Sequence, residues 1–259
     1  MPTPALAVFD AHLHIVDPRF PLETNQGFRP DPFTAAAYLA RMHGHRLAGG
    51  AVVSGSFQAF DQSYLIDALQ RLGPGFVGVT QLPSTVNDRE LLALDAAGVR
   101  ALRFNLKRGG SEDLRHLDTM ARRVHELVGW HVELYADAAE LADVRQRLAG
   151  LPGLSIDHLG LTAAGLPTLL WLAERGVRVK ACGFGRVDFD VAQALRDLDA
   201  ANPAALMFGT DLPSTRAPRP YRDEDCQLVL DTLSAASARR VLHDNALAFY
   251  APLAHRVQP

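Results

Sequence analysis

Short apolar runs punctuate this chain at regular intervals, separated by stretches of helical period. The runs predict strands at residues 7–12, 51–56, 76–81, 100–105, 131–136, 154–158, 177–183 and 205–210. Apolar residues spaced three or four apart predict amphipathic helices at 63–72, 88–97, 114–128, 138–148, 166–175, 191–200 and 224–233, with 236–250 closing the chain. Glycine or proline stands at most helix ends: Gly73-Pro74-Gly75, Gly98, Gly129, Gly153, Gly176 and Pro203. Eight strand–helix alternations predict a parallel sheet closed into a single (β/α)8 TIM barrel over residues 1–259. A doubly wound open sheet is the alternative. No Gly-x-Gly-x-x-Gly follows the first strand, which argues against a dinucleotide-binding unit. Residues 17–32, rich in proline, break the pattern and are expected to lie over the barrel mouth as a partial lid.

Polar residues gather where these strands end, and in such a barrel chemistry sits at the C-terminal ends. His12-Leu13-His14 follows the first apolar run, Leu6-Ala7-Val8-Phe9. Residues i and i+2 of a strand share a face, so the two imidazoles project together. Such a pair binds a metal, polarises a carbonyl or shuttles a proton. Strand 2 ends in Ser54-Gly55-Ser56. Strand 4 puts Arg103 and Asn105 in phase, with Lys107 and Arg108 just beyond. Strand 5 carries His131, Glu133 and Tyr135 in phase. Strand 6 ends on His158, strand 7 carries Lys180 and Cys182 before Arg186, and strand 8 ends on Asp211.

Bulk composition narrows the function classes. The 259 residues are 48% hydrophobic with a formal net charge of -3, which offers no electrostatic case for nucleic acid or a membrane surface. The apolar runs are too short to span a bilayer. Met1-Pro2-Thr3-Pro4 lacks the basic region of a secretory signal, and the two cysteines, Cys182 and Cys226, give no disulfide framework. A cytoplasmic location is expected. A homo-oligomer is left open.

Taken in order, these motifs resemble the amidohydrolase superfamily. The resemblance rests on His12-x-His14, Ile156-Asp157-His158-Leu159-Gly160 and Gly209-Thr210-Asp211-Leu212-Pro213. Val99–Asn105, 130–135 and 179–183 extend it across nearly the whole chain. It is nearest the superfamily's lactone hydrolases, typified by the pyrone-dicarboxylate lactonases. The resemblance implies a distorted barrel and hydrolysis of a cyclic ester, often one bearing carboxylates. Metal-bearing members draw ligands from positions matching His12, His14, His158 and Asp211, plus a strand-5 His or Lys. Here Tyr135 ends strand 5, a poor ligand at neutral pH. The expectation is no obligate metal, with a single zinc on those four residues as the alternative. The family's arginine after the strand-6 motif and its Trp-Pro-His after the strand-8 Asp are replaced by Leu161-Thr162 and Leu212-Pro213-Ser214, which puts the pyrone dicarboxylate in doubt as substrate.

The expected mechanism has Asp211 activating water while His12, His14 and His158 surround the carbonyl. Arg103, Lys107, Lys180, Arg186 and Arg216 are candidates to bind a small anionic lactone, with Tyr135 and Ser56 adding hydrogen bonds. A metal-dependent decarboxylase or other lyase, a zinc-dependent amidohydrolase and a non-catalytic sensor of acidic small molecules are the competing readings.

Overall fold

The computed structural model describes residues 6–251, so Met1-Pro2-Thr3-Pro4 lies outside the described residues. Eight parallel strands pair in sequence order: β1 (Ala7–Leu13), β2 (Arg46–Val53), β3 (Phe76–Thr80), β4 (Val99–Asn105), β5 (His131–Tyr135), β6 (Leu154–Ile156), β7 (Arg178–Ala181) and β8 (Leu206–Phe208). Backbone bonds tie the end of β8 back to β1: Asp211 N–H donates to His12 O at 2.7 Å, and His14 N–H to Leu212 O at 2.7 Å. The sheet is therefore a nearly closed (β/α)8 barrel, and the sequential strand order excludes the doubly wound alternative.

The helices form the outer layer: α1 (Ala35–Arg41), α2 (Ser63–Leu72), α3 (Asp88–Ala96), α4 (Leu117–Val128), α5 (Arg145–Ala149), α6 (Leu166–Ala173), α7 (Val191–Ala201), α8 (Asp223–Thr232), α9 (Ala235–Arg239) and α10 (Asn245–Tyr250). Several expected elements are shorter or broken. The 138–148 stretch is mostly 3-10 helix before α5, and the 236–250 helix is interrupted by a π turn at Arg240–Asp244. β2 starts earlier than expected, because Gly49-Gly50 lies within the strand rather than breaking it. Helix α1 was not expected. Its signal is Thr34, whose hydroxyl caps Ala37 N–H ahead of an alanine run.

Strand parity decides what faces the barrel interior. A small apolar cluster joins Phe9, Ala11, Val53, Val79, Ala101 and Met207 to Tyr250 of α10. A larger one joins Leu13, Val52, Leu102, Phe104, Leu134 and Phe208 to helix residues such as Tyr38, Leu65 and Leu169. In β4, Ala101 thus faces inward and Leu102 outward, which sends Arg103 and Asn105 inward. β1 breaks the alternation. Phe9 and Ala11 are internal, yet Leu13 packs outward, because the register against β2 slips between Asp10 and Leu13. That bulge turns both His12 and His14 into the mouth.

The last seam depends on Gly209. A Cβ there would sit 2.7 Å from His12 N and 2.8 Å from His12 Cβ. Gly209→Ala is expected to force β8 from β1 and destabilise the fold by about 1–3 kcal/mol. Urea unfolding would check this through a lowered midpoint at unchanged slope, and an unaltered midpoint would contradict it.

Candidate active site

Four groups predicted from three separate strands converge at the C-terminal rim. The His12 and His14 rings stand 5.0 Å apart, and those of His12 and His158 4.8 Å apart. Asp211 Oδ1 lies 3.6 Å from His14 Nε2 and 3.9 Å from His12 Nε2. His158 is not on β6, which ends at Ile156. It opens a turn in which His158 (φ 52°), Leu159 (φ 51°) and Leu161 (φ 72°) are left-handed, as is Asp211 (φ 60°) after β8. Non-glycine residues held in this region are strained, and they cluster where geometry must be fixed. His14 Nδ1–H donates to Val53 O at 2.7 Å, leaving Nε2 as an acceptor facing Asp211 when the ring is neutral.

Electrostatics set the state of each group. Burial alone would raise the Asp211 carboxyl, but the Arg186 guanidinium together with the His158, His14 and His12 rings outweighs it and holds the group well below the usual carboxylate range. Arg186 Nε donates to Asp211 Oδ2 at 2.7 Å and its Nη2 to Thr215 O at 2.8 Å. Asp211 Oδ1 has no hydrogen-bond partner among the described residues. Burial pushes His158 down to about 3, against the pull of Asp211. Burial, then the charge of Lys180, lowers His12 well below the ordinary imidazole value.

Beneath these groups lies an ion network that the sequence reading did not assemble. Lys180 is fully buried, with Nζ 2.5 Å from Glu133 Oε2, 3.3 Å from His12 Nδ1 and 3.7 Å from Asp157 Oδ1. Arg103 donates to Asp157 Oδ2 at 2.8 Å and to Ser54 O at 2.7 Å. Tyr250 donates to Glu133 Oε1 at 2.5 Å. Lys180 therefore does not face the cleft, and its expected role in gripping substrate is not supported by its position. Arg103 does line the cleft, but its charge is already matched by Asp157. Parity already puts Glu133 in phase with Tyr135; the overlooked signal was Asp157, in phase with Ser155.

Above them a narrow cleft is lined by His14, His158, Ser56, Tyr135, Asn105, Arg103, Arg108, Arg186 and Arg216. The 17–32 segment lies across it. Ser56 Oγ donates to Asn25 Oδ1 at 3.0 Å, Asn25 Nδ2 donates to Arg108 O at 3.1 Å, and Arg216 donates to Asn25 O. The Arg216 guanidinium also sits 4.4 Å from the centre of the Phe28 ring. Burial and then the charge of Arg108 lower the pKa of Arg216. Lys107 is exposed and lines an adjoining hollow with Arg108 and Arg216. Among the described residues, Arg103, Arg186 and Lys180 form ion pairs, whereas Lys107, Arg108 and Arg216 form none.

Among the described residues, two groups of side chains have the spacing of metal ligands. In the group His12, Glu133 and Asp157, the Lys180 ammonium already contacts all three. In the group His12, His158 and Asp211, Arg186 holds one carboxylate oxygen, while Asp211 Oδ1 and His12 Nε2 have no hydrogen-bond partner among the described residues. With the imidazoles neutral, Lys180, Arg103 and Arg186 balance Glu133, Asp157 and Asp211. A dication would unbalance that buried cluster.

The barrel delivers a carboxylate and three imidazoles to one rim, the place where such barrels carry their chemistry. The chain belongs to the amidohydrolase family, whose model matches residues 9–251. It is 32% identical over 163 residues to a 2-pyrone-4,6-dicarboxylate hydrolase of Comamonas testosteroni, a match covering 61% of this chain and 52% of that protein. The chain thus spans about half the length of that relative. It is 27% identical over 262 residues to a 4-sulfomuconolactone hydrolase of Rhizobium radiobacter, covering 92% of this chain and 87% of the relative. Among solved structures, an apo protein from Agrobacterium tumefaciens superposes with a TM-score of 0.84 at 22% identity, covering 97% of this chain and 98% of its own. A probable 2-pyrone-4,6-dicarboxylic acid hydrolase of Acinetobacter baumannii with citric acid bound gives 0.81 at 21%, covering 94% and 99%. At these identities the structures speak to the fold alone. No helix among the described residues is long and apolar enough to cross a membrane.

The folded His158 ring takes up its proton near 3, whereas an unfolded one does so near 6.5. Acidification through that window therefore favours the unfolded chain, and the stability tied to neutral His158 is lost as pH falls from 6.5 toward 3. NMR of the His158 ring is expected to show no protonation between about pH 5 and 8. A midpoint near that of free imidazole would contradict the burial argument.

Proposed function

We propose that this protein hydrolyses an anionic lactone by attack of a water activated by Asp211, without an obligate metal. The observation that carries this reading is the separation of charges along the cleft. Cations already neutralised lie at its floor, and unpaired ones lie at its mouth. Arg108 and Arg216, with Lys107 beside them, are free to meet a carboxylate or sulfonate on the substrate. The relatives named for 2-pyrone-4,6-dicarboxylate and 4-sulfomuconolactone act on lactones carrying such groups, which supports the class.

In this mechanism the substrate's acid group rests against Arg108 and Arg216, with its ester carbonyl directed down toward the imidazoles. Asp211 Oδ1, kept ionised by Arg186, takes a proton from the attacking water, and the new C–O bond forms at the carbonyl carbon. Negative charge on the carbonyl oxygen is stabilised by imidazole N–H groups in a site shielded from bulk water. The ring C–O bond then breaks, and the departing oxygen takes up a proton. The products are a free carboxylate and a hydroxyl or enol. Tyr135 and Ser56, both on the cleft wall, are placed to hydrogen-bond the bound ring.

Proton release across a panel of acidic and neutral lactones tests the proposal. Asp211→Asn is expected to lower kcat by ~10²–10⁴-fold on any lactone opened. Arg216→Met is expected to raise KM by ~10–100-fold for acidic lactones while leaving neutral ones within a few fold. Near-normal turnover by the first variant would reject the base assignment. An equal loss on both lactone types by the second would show that Arg216 serves only to hold the 17–32 segment.

A further inference from the structure

We propose that Lys180 is a positioning residue: its ammonium, held between Glu133 and Asp157, donates to Nδ1 of His12 and fixes that imidazole as the Nε2–H tautomer facing the cleft floor. An ammonium has donors only, so a ring nitrogen in contact with it must carry a lone pair. Lys180 Nζ lies 3.3 Å from His12 Nδ1, and its two other partners are both carboxylates. The alternative tautomer would present Nδ1–H to the ammonium, donor against donor. Its only outlet would be Asp157 Oδ1, at 3.6 Å.

The charged groups around His12 favour this assignment, the exception being Asp157 Oδ1, an acceptor on the Nδ1 side with no hydrogen-bond partner among the described residues. From β5 and β6, Glu133 and Asp157 hold the ammonium in place, and Asp157 is itself held by Arg103 from β4. From the far side, Asp211 Oδ1 faces His12 Nε2 at 3.9 Å, where N–H meets an acceptor rather than a second lone pair. His14 and His158 pack against the ring edges. His12 Nε2 has no hydrogen-bond partner among the described residues. Its N–H is therefore preorganised for an acceptor entering the cleft. On the hydrolytic reading above, on which this step rests, that acceptor is the carbonyl oxygen as it becomes negative. Lys180 acts through His12 and does not touch the substrate.

The test reads the tautomer directly. Long-range ¹H–¹⁵N correlations on protein labelled at histidine, with His12 assigned by its loss in His12→Gln, report which ring nitrogen bears the proton. The free wild-type enzyme is expected to show Nε2 protonated and Nδ1 bare. In Lys180→Met combined with Glu133→Gln, which removes the ammonium and one counter-charge together, the proton is expected to shift to Nδ1. With a turned-over lactone, kcat should then fall ~10²-fold with KM within a few fold, the loss typical of one oxyanion donor. A wild-type ring protonated on Nδ1, or a tautomer unmoved in the double variant, would overturn the proposal. The wild-type spectrum decides alone if the double variant does not fold. Because it is recorded without substrate, it stands apart from the lactone assay, where absence of wild-type turnover would sink the hydrolytic reading instead.

Discussion

The buried balance of charge under the cleft floor governs this site. Lys180 and Arg103 are shut away from water, and isolated ions in that position would cost several kcal/mol each. Glu133 and Asp157 meet them across neighbouring strands at hydrogen-bonding distance. For both acids, burial favours the neutral form, yet the Lys180 charge, joined by His131 at Glu133 and by Arg103 and His158 at Asp157, outweighs it and holds each below its ordinary value. The cluster is therefore ionised but neutral overall. It leaves Asp211 and the imidazoles above it as the groups free to meet a ligand.

Barrel geometry explains how such a cluster assembles from residues far apart in the chain. Inward positions of β4 through β7 supply Arg103, Glu133, Asp157 and Lys180 at one level. The bulge in β1 adds His12 and His14, and the left-handed residues after β6 and β8 turn His158 and Asp211 inward. Apolar residues around Phe9, Met207 and Tyr250 fill the interior below, so the polar layer rests on a packed base. The same closure that seals the barrel at Gly209 brings Asp211 over His12.

Much of this was legible in the sequence. Alternation gave eight strands in the right order, with β2 displaced and β6 and β8 shorter than expected, and polar residues at strand ends pointed to His12, His14, His158 and Asp211, which do converge. What alternation alone does not reveal is pairing between strands. Arg103 looked the best substrate anchor because it is in phase on β4, but Asp157, two strands away, matches its charge. Lys180 looked available until Glu133 was seen beside it. Conversely, Lys107 and Arg216 stand among the sequence candidates and Arg108 does not, and only the fold shows the three together at the mouth, without ion-pair partners among the described residues. The β1 bulge and the turn at His158 were illegible because each depends on backbone contacts with a neighbouring strand or loop. Helix α1 was within reach, through Thr34 and the alanines that follow.

The central claim is that a charge-balanced site of protein groups alone opens an anionic lactone. The most direct measurement is proton release from acidic lactones by enzyme stripped of metal with a chelator, with metal content verified by elemental analysis. The account predicts ring opening at an undiminished rate, with no gain on adding zinc. Turnover that appears only once a divalent ion is restored, or loss of carbon dioxide in place of ring opening, would contradict it.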